Sequence, residues 1–283
     1  MTDRHFLERS FIFFPERELL TFPSNAGMEY EDVHFRCEDG VTLHGWFIPG
    51  LGKSVMLFFH GNGGNISHRI EKIRLLCHPQ ISSFMIDYHG YGRSRGIPSE
   101  ESCYLDALAS WNYLIQERRI DPKQIVLFGE SLGGAVAIDL ASKKEVGAVI
   151  LESTFTPLEI MPRCSAAGLH FRLIPAGFNA PLEFLTGFTN IGAVMGRFVP
   201  GLESLLKGRF DSLSIIPHLK VPLLILHGDE DELVPFELGQ SLFEKANEPK
   251  NFFTILGAHH NDTYDVGGKA YVETIRQFIK RHL

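Results

Sequence analysis

The amino-acid sequence predicts an α/β fold with a mostly parallel central sheet behind an N-terminal antiparallel hairpin. Short apolar runs recur along the chain, and their nearly continuous apolar character is typical of strands buried on both faces of a parallel sheet. Helical patterns lie between these runs, and such alternation is typical of α/β domains. The runs span residues 55–59, 81–86, 125–128, 146–151, 221–226 and 252–256.

Two further patterns define the hairpin and the helices. Residues 33–37 and 41–48 alternate between apolar and polar side chains around a short turn at 38–40, which indicates an antiparallel hairpin. Apolar residues at helical spacing indicate helices between the later runs. They recur at Tyr104, Leu108, Trp111 and Ile115, with Ser99 as the expected N-cap, and again at Tyr271, Ile275, Phe278 and Ile279.

One long stretch interrupts the alternation. No strand-like run can be placed between Thr156 and about Leu213, although the stretch is rich in Phe, Leu, Gly and Pro. A structureless loop of that length would be unusual inside a compact domain, so we expect an inserted helical subdomain. Its longest uncharged run is too short to span a bilayer.

Composition narrows the class of protein and its partners. The 283 residues include 27 Lys and Arg against 34 Asp and Glu, and no basic block, so nucleic acid is not an expected partner. The four cysteines are far apart and form no Cys-x-x-Cys pair, which argues against a zinc knuckle or a disulfide framework. The apolar run at 11–14 is too short for a signal peptide or a membrane span. We therefore expect a cytoplasmic protein with reduced thiols.

Ser131 is the candidate nucleophile. It lies in Gly129-Glu-Ser-Leu-Gly133, which matches the G-x-S-x-G elbow between a predicted strand and a predicted helix at 135–141. The glycines let strand and helix approach closely around a serine in a strained conformation. A second match, centred on Ser94, is neither preceded directly by a buried run nor followed by a helix, and we interpret it as a loop.

A serine nucleophile needs a histidine base and a carboxylate, expected in the chain order Ser, Asp, His. The loop 227–235 follows a predicted strand and carries four clustered acids between Asp229 and Glu232. The loop 257–262 follows the next strand and carries two adjacent histidines, His259 and His260. Spacing alone does not choose among them, and a metal site is not expected because no third ligand has suitable spacing.

An oxyanion hole requires backbone N–H groups, one of them on the residue after the nucleophile, which is Leu132. The second is expected from the glycine-rich loop at 60–65, which follows an early strand. Phosphate binding is the alternative function of such a loop. It is disfavoured because the loop lacks the Gly-Lys-Ser/Thr ending of a P-loop.

Taken together, these motifs carry a family resemblance. Over about residues 30–283 the chain resembles the abhydrolase-domain serine hydrolases of the α/β-hydrolase superfamily. The resemblance implies Asp231 as the acid, His260 as the base and Asn62 as the second oxyanion donor, with Asp229 and His259 as second choices. The motifs are His60-Gly-Asn-Gly-Gly-Asn65, Asp87-Tyr-His-Gly-Tyr-Gly-Arg-Ser94, the Ser131 elbow, Glu152-Ser-Thr-Phe155, Arg209-Phe-Asp-Ser-Leu213, His227-Gly-Asp-Glu-Asp-Glu-Leu-Val-Pro235 and His260-Asn-Asp262.

The resemblance also implies a domain organisation. We divide the chain into an N-terminal extension at 1–29, a catalytic domain of the α/β-hydrolase fold at 30–155 and 210–283, and an inserted lid at 156–209. Relatives often carry an N-terminal membrane anchor, which is absent from this sequence, so a protein without a transmembrane segment is expected.

The expected function is a serine hydrolase of carboxylic esters or thioesters that needs no cofactor. The Phe and Leu content of the insertion favours an acyl or lipid-like substrate, with peripheral membrane contact through the insertion as a further option. Two alternatives stay open: a serine peptidase of the same fold, and a non-catalytic binding module.

Overall fold

The computed structural model of the chain describes residues 12–77, 80–156 and 209–283. Within them, eight strands form one twisted sheet in the order β8-β7-β6-β5-β3-β4-β2-β1. Strand β2 runs antiparallel to both of its neighbours, and every other neighbouring pair is parallel. The strands are β1 Glu31–Arg36, β2 Thr42–Ile48, β3 Ser54–Phe59, β4 Ile81–Asp87, β5 Ile125–Glu130, β6 Ala148–Glu152, β7 Leu223–Gly228 and β8 Lys250–Ile255. The predicted α/β fold is thus confirmed.

Helices cover both faces of the sheet. Helices α2, α3 and α5 pack on one face, and helices α1 and α6 pack on the other. The Ser99 side chain accepts a hydrogen bond from the Ser102 N–H over 3.0 Å, so the predicted N-cap of α2 is confirmed. The helices are α1 Ile70–Leu76, α2 Glu100–Gln116, α3 Leu132–Lys143, α4 Ser212–Ile215, α5 Phe236–Lys245 and α6 Thr263–His282.

The central strands supply both cores because their side chains alternate between the two faces. In β3, Leu57 and Phe59 belong to the core under α3, whereas Phe58 belongs to the core under α6. The ring of Phe58 stacks on that of Phe128 in β5 with 5.2 Å between centroids. Each such fully buried side chain contributes about 1.5–3 kcal/mol to folding, so the middle of the sheet fixes its parallel strands firmly.

Some element boundaries differ from the predicted ones. The hairpin forms as expected, but β1 begins at Glu31 because this strand lies at the sheet edge and keeps polar side chains on its outer face. Strand β8 begins at the polar Lys250 for the same reason. Helix α1 was not predicted from the sequence, since it is only seven residues long and three of them are charged.

The proposed boundaries at 1–29 and 156–209 meet the described residues only in part. Residues 157–208 lie outside the described residues, as does Cys164, so the lid stays a prediction. From residue 12 onward the N-terminal extension packs on the catalytic domain, and the side chains of Ile12 and Phe13 are buried in the main core.

Cys37, Cys77 and Cys103 are free thiols. In the described part of the chain, no helix combines the length and apolar character needed to cross a membrane.

Candidate active site

Ser131 lies in a sharp turn between β5 and α3. Its backbone has φ 51° and ψ −113°, a conformation that L-residues rarely adopt and that stores strain. The turn is so tight that only glycine fits on either side of Ser131. A Cβ on Gly129 would lie 2.4 Å from the Gly133 carbonyl oxygen, and one on Gly133 would lie 2.1 Å from the Phe59 carbonyl oxygen. The Ser131 N–H donates to the Glu152 carbonyl over 2.8 Å, which holds the strained residue at the carboxyl end of the sheet.

Three of the side chains singled out in the sequence form a continuous hydrogen-bonded chain. His260 Nε2 lies 3.1 Å from Ser131 Oγ. His260 Nδ1 lies 2.8 Å from Asp231 Oδ2 and 3.0 Å from Oδ1. Ser131 follows β5, Asp231 follows β7 and His260 follows β8, so the carboxyl ends of parallel strands bring together residues that are far apart in sequence. Such a chain can pass a proton from the hydroxyl to the imidazole while the carboxylate orients the ring.

Asp231 is held as a carboxylate. Its Oδ1 accepts hydrogen bonds from the N–H groups of Leu233 (3.0 Å) and Val234 (2.7 Å), and its side chain is fully buried. Burial alone would raise the pKa of Asp231. Contacts with His227 and His260 and the bond from the Val234 N–H outweigh burial and hold this pKa well below its ordinary value. The charge needed to stabilise a protonated His260 is therefore present throughout the neutral range.

The second-choice residues lie at the surface. Asp229 is exposed, and its Oδ1 accepts a hydrogen bond from the Gly257 N–H over 2.6 Å, so it joins the two loops. His259 is exposed as well, and its Nδ1 lies 3.1 Å from Glu232 Oε2. This contact raises the pKa of His259. The structure thus brings Asp231 and His260 to Ser131 and leaves Asp229 and His259 outside that hydrogen-bonded chain.

The two predicted oxyanion donors lie in the elbow and in the glycine-rich loop next to it. Leu132 is the first residue of α3, so helical geometry leaves its N–H without an intrahelical acceptor. Asn62 lies in the glycine-rich loop, residues 60–65, which follows β3. A Cβ on Gly61 would lie 3.5 Å from the Ser131 Cβ, so this loop runs directly beside the nucleophile. The Leu132 N–H thus adjoins Ser131 in the chain, and the loop that carries the Asn62 N–H passes beside the nucleophile.

The second G-x-S-x-G match has a structural role. Ser94 is fully buried in a loop, as predicted, and its Oγ donates to the Asp87 carbonyl over 2.6 Å. The same oxygen accepts a hydrogen bond from the His44 N–H over 2.8 Å. Ser94 therefore fixes its loop to β2 and β4.

Sequence reasoning missed a buried charged cluster beside the elbow. Lys72 Nζ lies 2.6 Å from Glu130 Oε2 and 2.8 Å from Glu152 Oε1. Arg69 donates to Glu130 Oε1 over 3.1 Å. Burial would raise the pKa of Glu130, but the charges of Lys72 and Arg69 outweigh it, so this pKa lies well below its usual range. The charged group that precedes Ser131 is therefore neutralised by basic residues from α1 and the turn before it.

The same cluster reaches the histidine loop. Glu152 also accepts hydrogen bonds from the hydroxyls of Thr263 and Tyr271 in α6. Thr263 comes three residues after His260, so this carboxylate links the end of β6 to the segment that carries the histidine. Glu130 and Glu152 both lie in motifs quoted from the sequence, but nothing there pairs them with Lys72. Among the described residues, no group of three His, Cys, Asp or Glu side chains is arranged to hold a metal ion.

The strand order and the strand–turn–helix at Ser131 are those of the α/β-hydrolase fold. Residues 56–274 match the model of the alpha/beta hydrolase family. The chain is 35% identical over 269 residues to the alpha/beta hydrolase domain-containing protein WAV2 of Arabidopsis thaliana, an alignment that covers 92% of this chain and 82% of that protein. It is 32% identical over 276 residues to the protein bem46 of Schizosaccharomyces pombe, with 94% and 82% covered.

The chain therefore belongs to the alpha/beta hydrolase family, and this membership supports hydrolase activity. Among solved structures, an esterase of Pyrococcus furiosus resembles it with a TM-score of 0.75 over 95% of this chain and 98% of that one. At 22% identity this likeness shows the fold alone.

Proposed function

We propose that the protein is a serine hydrolase that cleaves carboxylic esters or thioesters through an acyl-enzyme at Ser131. The observation that carries the proposal is the hydrogen-bonded chain from Ser131 Oγ through His260 to Asp231. A serine hydroxyl is a poor nucleophile unless a neighbouring base takes its proton, and His260 Nε2 is within hydrogen-bond distance to do so.

In the first half of the reaction, Ser131 Oγ attacks the carbonyl carbon and its proton passes to His260 Nε2. The carbonyl oxygen becomes an oxyanion that accepts hydrogen bonds from the Leu132 and Asn62 N–H groups. The tetrahedral intermediate collapses, the bond to the leaving oxygen or sulfur breaks, and His260 gives its proton to that atom. The products of this half are the free alcohol or thiol and the acyl-enzyme.

In the second half, water replaces the leaving group. His260 takes a proton from the water as the water oxygen attacks the acyl carbon, and it returns that proton to Ser131 Oγ when the acyl bond breaks. Asp231 stays ionised throughout and stabilises the imidazolium in both halves, in keeping with its lowered pKa. The sequence of steps consumes one water and requires no cofactor.

We propose an apolar acyl group as the substrate because the insertion at 156–209 is rich in Phe and Leu. Phe155 follows β6 close to the elbow, and its ring lies edge-on to that of Phe210 with 6.3 Å between centroids. The Phe210 ring in turn lies 6.3 Å from that of Phe13. All three rings are buried in the main core, so they hold the two ends of segment 157–208 against the catalytic domain. We extend the proposal to lipid-like esters, to peripheral membrane contact through the insertion and to a cytoplasmic location.

Activity-based labelling tests the proposal. A fluorophosphonate probe should label the wild-type protein and fail to label the Ser131→Ala variant, whereas Ser94→Ala should be labelled like the wild type. A panel of p-nitrophenyl esters, acyl thioesters and aminoacyl amides then identifies the substrate class. Equal labelling of wild type and Ser131→Ala would refute the nucleophile, and hydrolysis of the amides alone would replace the esterase proposal by a peptidase.

A further inference from the structure

Residues 12–20 form a strap that runs alongside the glycine-rich loop. Phe14 and Pro15 pair in parallel with Gly63 and Gly64, and the Glu16 N–H donates to the Gly64 carbonyl over 3.1 Å. The strap precedes the part of the chain that matches the family model. Backbone hydrogen bonds thus tie the loop that carries Asn62 to a segment outside the central sheet.

The glycine-rich loop needs external support. Three of its six residues are glycine, the residue type that loses the most conformational freedom when it is ordered. An oxyanion donor lowers the barrier only if it is already fixed where the charge develops. Contacts that fix this loop therefore help its N–H groups to stabilise the oxyanion.

The Asn62 side chain is the main point of attachment. Its Oδ1 accepts hydrogen bonds from the Tyr91 hydroxyl over 2.9 Å and from the Phe14 N–H over 3.3 Å. Its Nδ2 donates to the Ile12 carbonyl. These contacts hold the carboxamide against the strap, so the side chain of Asn62 is committed to protein partners while its backbone N–H is the group expected to face the substrate.

The strap is itself firmly anchored. Phe13 is 2% exposed and packs its ring against that of Phe210. Asn65 Nδ2 donates to the carbonyls of Glu16 over 3.0 Å and Glu18 over 2.7 Å, so the far end of the glycine-rich loop is tied to the strap as well. A loop tied at both ends to a strap whose first two residues are buried has little freedom to move.

We propose that the strap is a positioning element of the active site, which acts through the Asn62 carboxamide to fix the Asn62 N–H toward the oxyanion that forms at Ser131. The inference rests on the proposed function. It assigns a role in the chemical step to residues 12–20 and to the Asn62 side chain. Because the oxyanion forms only after attack, loosening this attachment should lower kcat and leave KM largely unchanged.

The test variant is Asn62→Leu in the full-length chain. Leucine is close to asparagine in size, removes the three side-chain hydrogen bonds and keeps the backbone N–H. We expect kcat for a p-nitrophenyl ester to fall about 10- to 100-fold, with KM within about twofold, because misplacing a donor by about 1 Å costs up to 10²-fold. Labelling of Ser131 by the fluorophosphonate should slow in proportion, and hydrogen–deuterium exchange of residues 60–65 should become faster.

Two more variants separate positioning from general loss of stability. Phe13→Leu loosens the strap without touching the loop, and we expect it to lower kcat in the same direction by about 2- to 10-fold. Asn247→Leu is the matched control, since Asn247 Nδ2 holds the carbonyls of Pro217 and Leu219 in a loop away from the site. It should lower the melting temperature and leave kcat within about twofold of wild type.

The outcomes separate the two proposals. If the wild type hydrolyses esters and is labelled at Ser131, yet Asn62→Leu keeps its kcat, the strap inference is overturned and the proposed function stands. If Asn62→Leu loses no more kcat than Asn247→Leu at equal loss of stability, the strap is a structural support only and the inference is again overturned. A wild type with neither activity nor labelling would overturn the proposed function, and the inference with it.

Discussion

Replacement of Lys72 by methionine should strongly destabilise the protein at neutral pH. The Lys72 side chain is 7% exposed and its Nζ contacts Glu130 at 2.6 Å and Glu152 at 2.8 Å. Glu130 keeps Arg69 as a cationic partner in the variant, but Glu152, which is 1% exposed, keeps among the described residues only the hydroxyls of Thr263 and Tyr271 as side-chain partners. Removing one partner of a buried ion pair costs about 3–5 kcal/mol, and methionine retains the apolar packing of the lysine stem.

Urea unfolding followed by circular dichroism measures this loss, and a double-mutant cycle isolates its cause. Glu152→Gln alone leaves Lys72 paired with Glu130. The double variant Lys72→Met with Glu152→Gln has no unpaired buried charge from this contact, so it should be more stable than Lys72→Met alone, with a coupling energy of up to about 3 kcal/mol. Strict additivity of the two single losses would refute the reasoning.

The remaining predictions concern the site itself. Asp231→Asn should lower kcat by about 10³- to 10⁴-fold, because the amide cannot stabilise the protonated ring of His260. The control Asp229→Asn should keep kcat within about tenfold of wild type. Equal losses in a p-nitrophenyl ester assay would argue against Asp231 as the acid. Because the pKa of Asp231 lies well below its ordinary value, protonation of this carboxylate should add no second ionisation to the acid limb of kcat/KM down to about pH 4; a slope of two above that pH would contradict this. Gly133→Ala should abolish soluble expression or activity, since its Cβ would lie 2.1 Å from the Phe59 carbonyl oxygen, and a stable, active variant would show that the elbow can open.

The parts of the fold that sequence predicts best are those with local signals. The apolar runs that became β3, β4, β5 and β7 are buried on both faces, so nothing polar obscures their limits. The edge strands β1 and β8 were placed less accurately because edge position depends on the finished sheet. Ser131 could be singled out because the elbow needs glycines at fixed positions on both sides of the serine, and the five residues 129–133 show that pattern.

Choosing the acid and the base required more than local pattern. Asp229 and Asp231 are two residues apart in one loop, and the difference between them is that Asp231 accepts the N–H groups of Leu233 and Val234 while it turns toward His260. Sequence spacing does not predict that loop geometry, so the choice of Asp231 as the acid came from the family resemblance. The contacts of Lys72 could not be predicted from the sequence, because its partners Glu130 and Glu152 lie 58 and 80 residues away.

The two halves of the proposed chemistry are therefore supported by different parts of the molecule. Proton transfer depends on Ser131, Asp231 and His260, which the carboxyl ends of adjacent parallel strands hold in place. Oxyanion stabilisation depends in part on a glycine-rich loop that the sheet alone does not fix and that the strap holds from outside. A substitution that loosens the strap should thus lower kcat and leave the contacts among Ser131, His260 and Asp231 intact. A substitution in the sheet core should disturb those contacts as well, because the core holds all three strand ends in place.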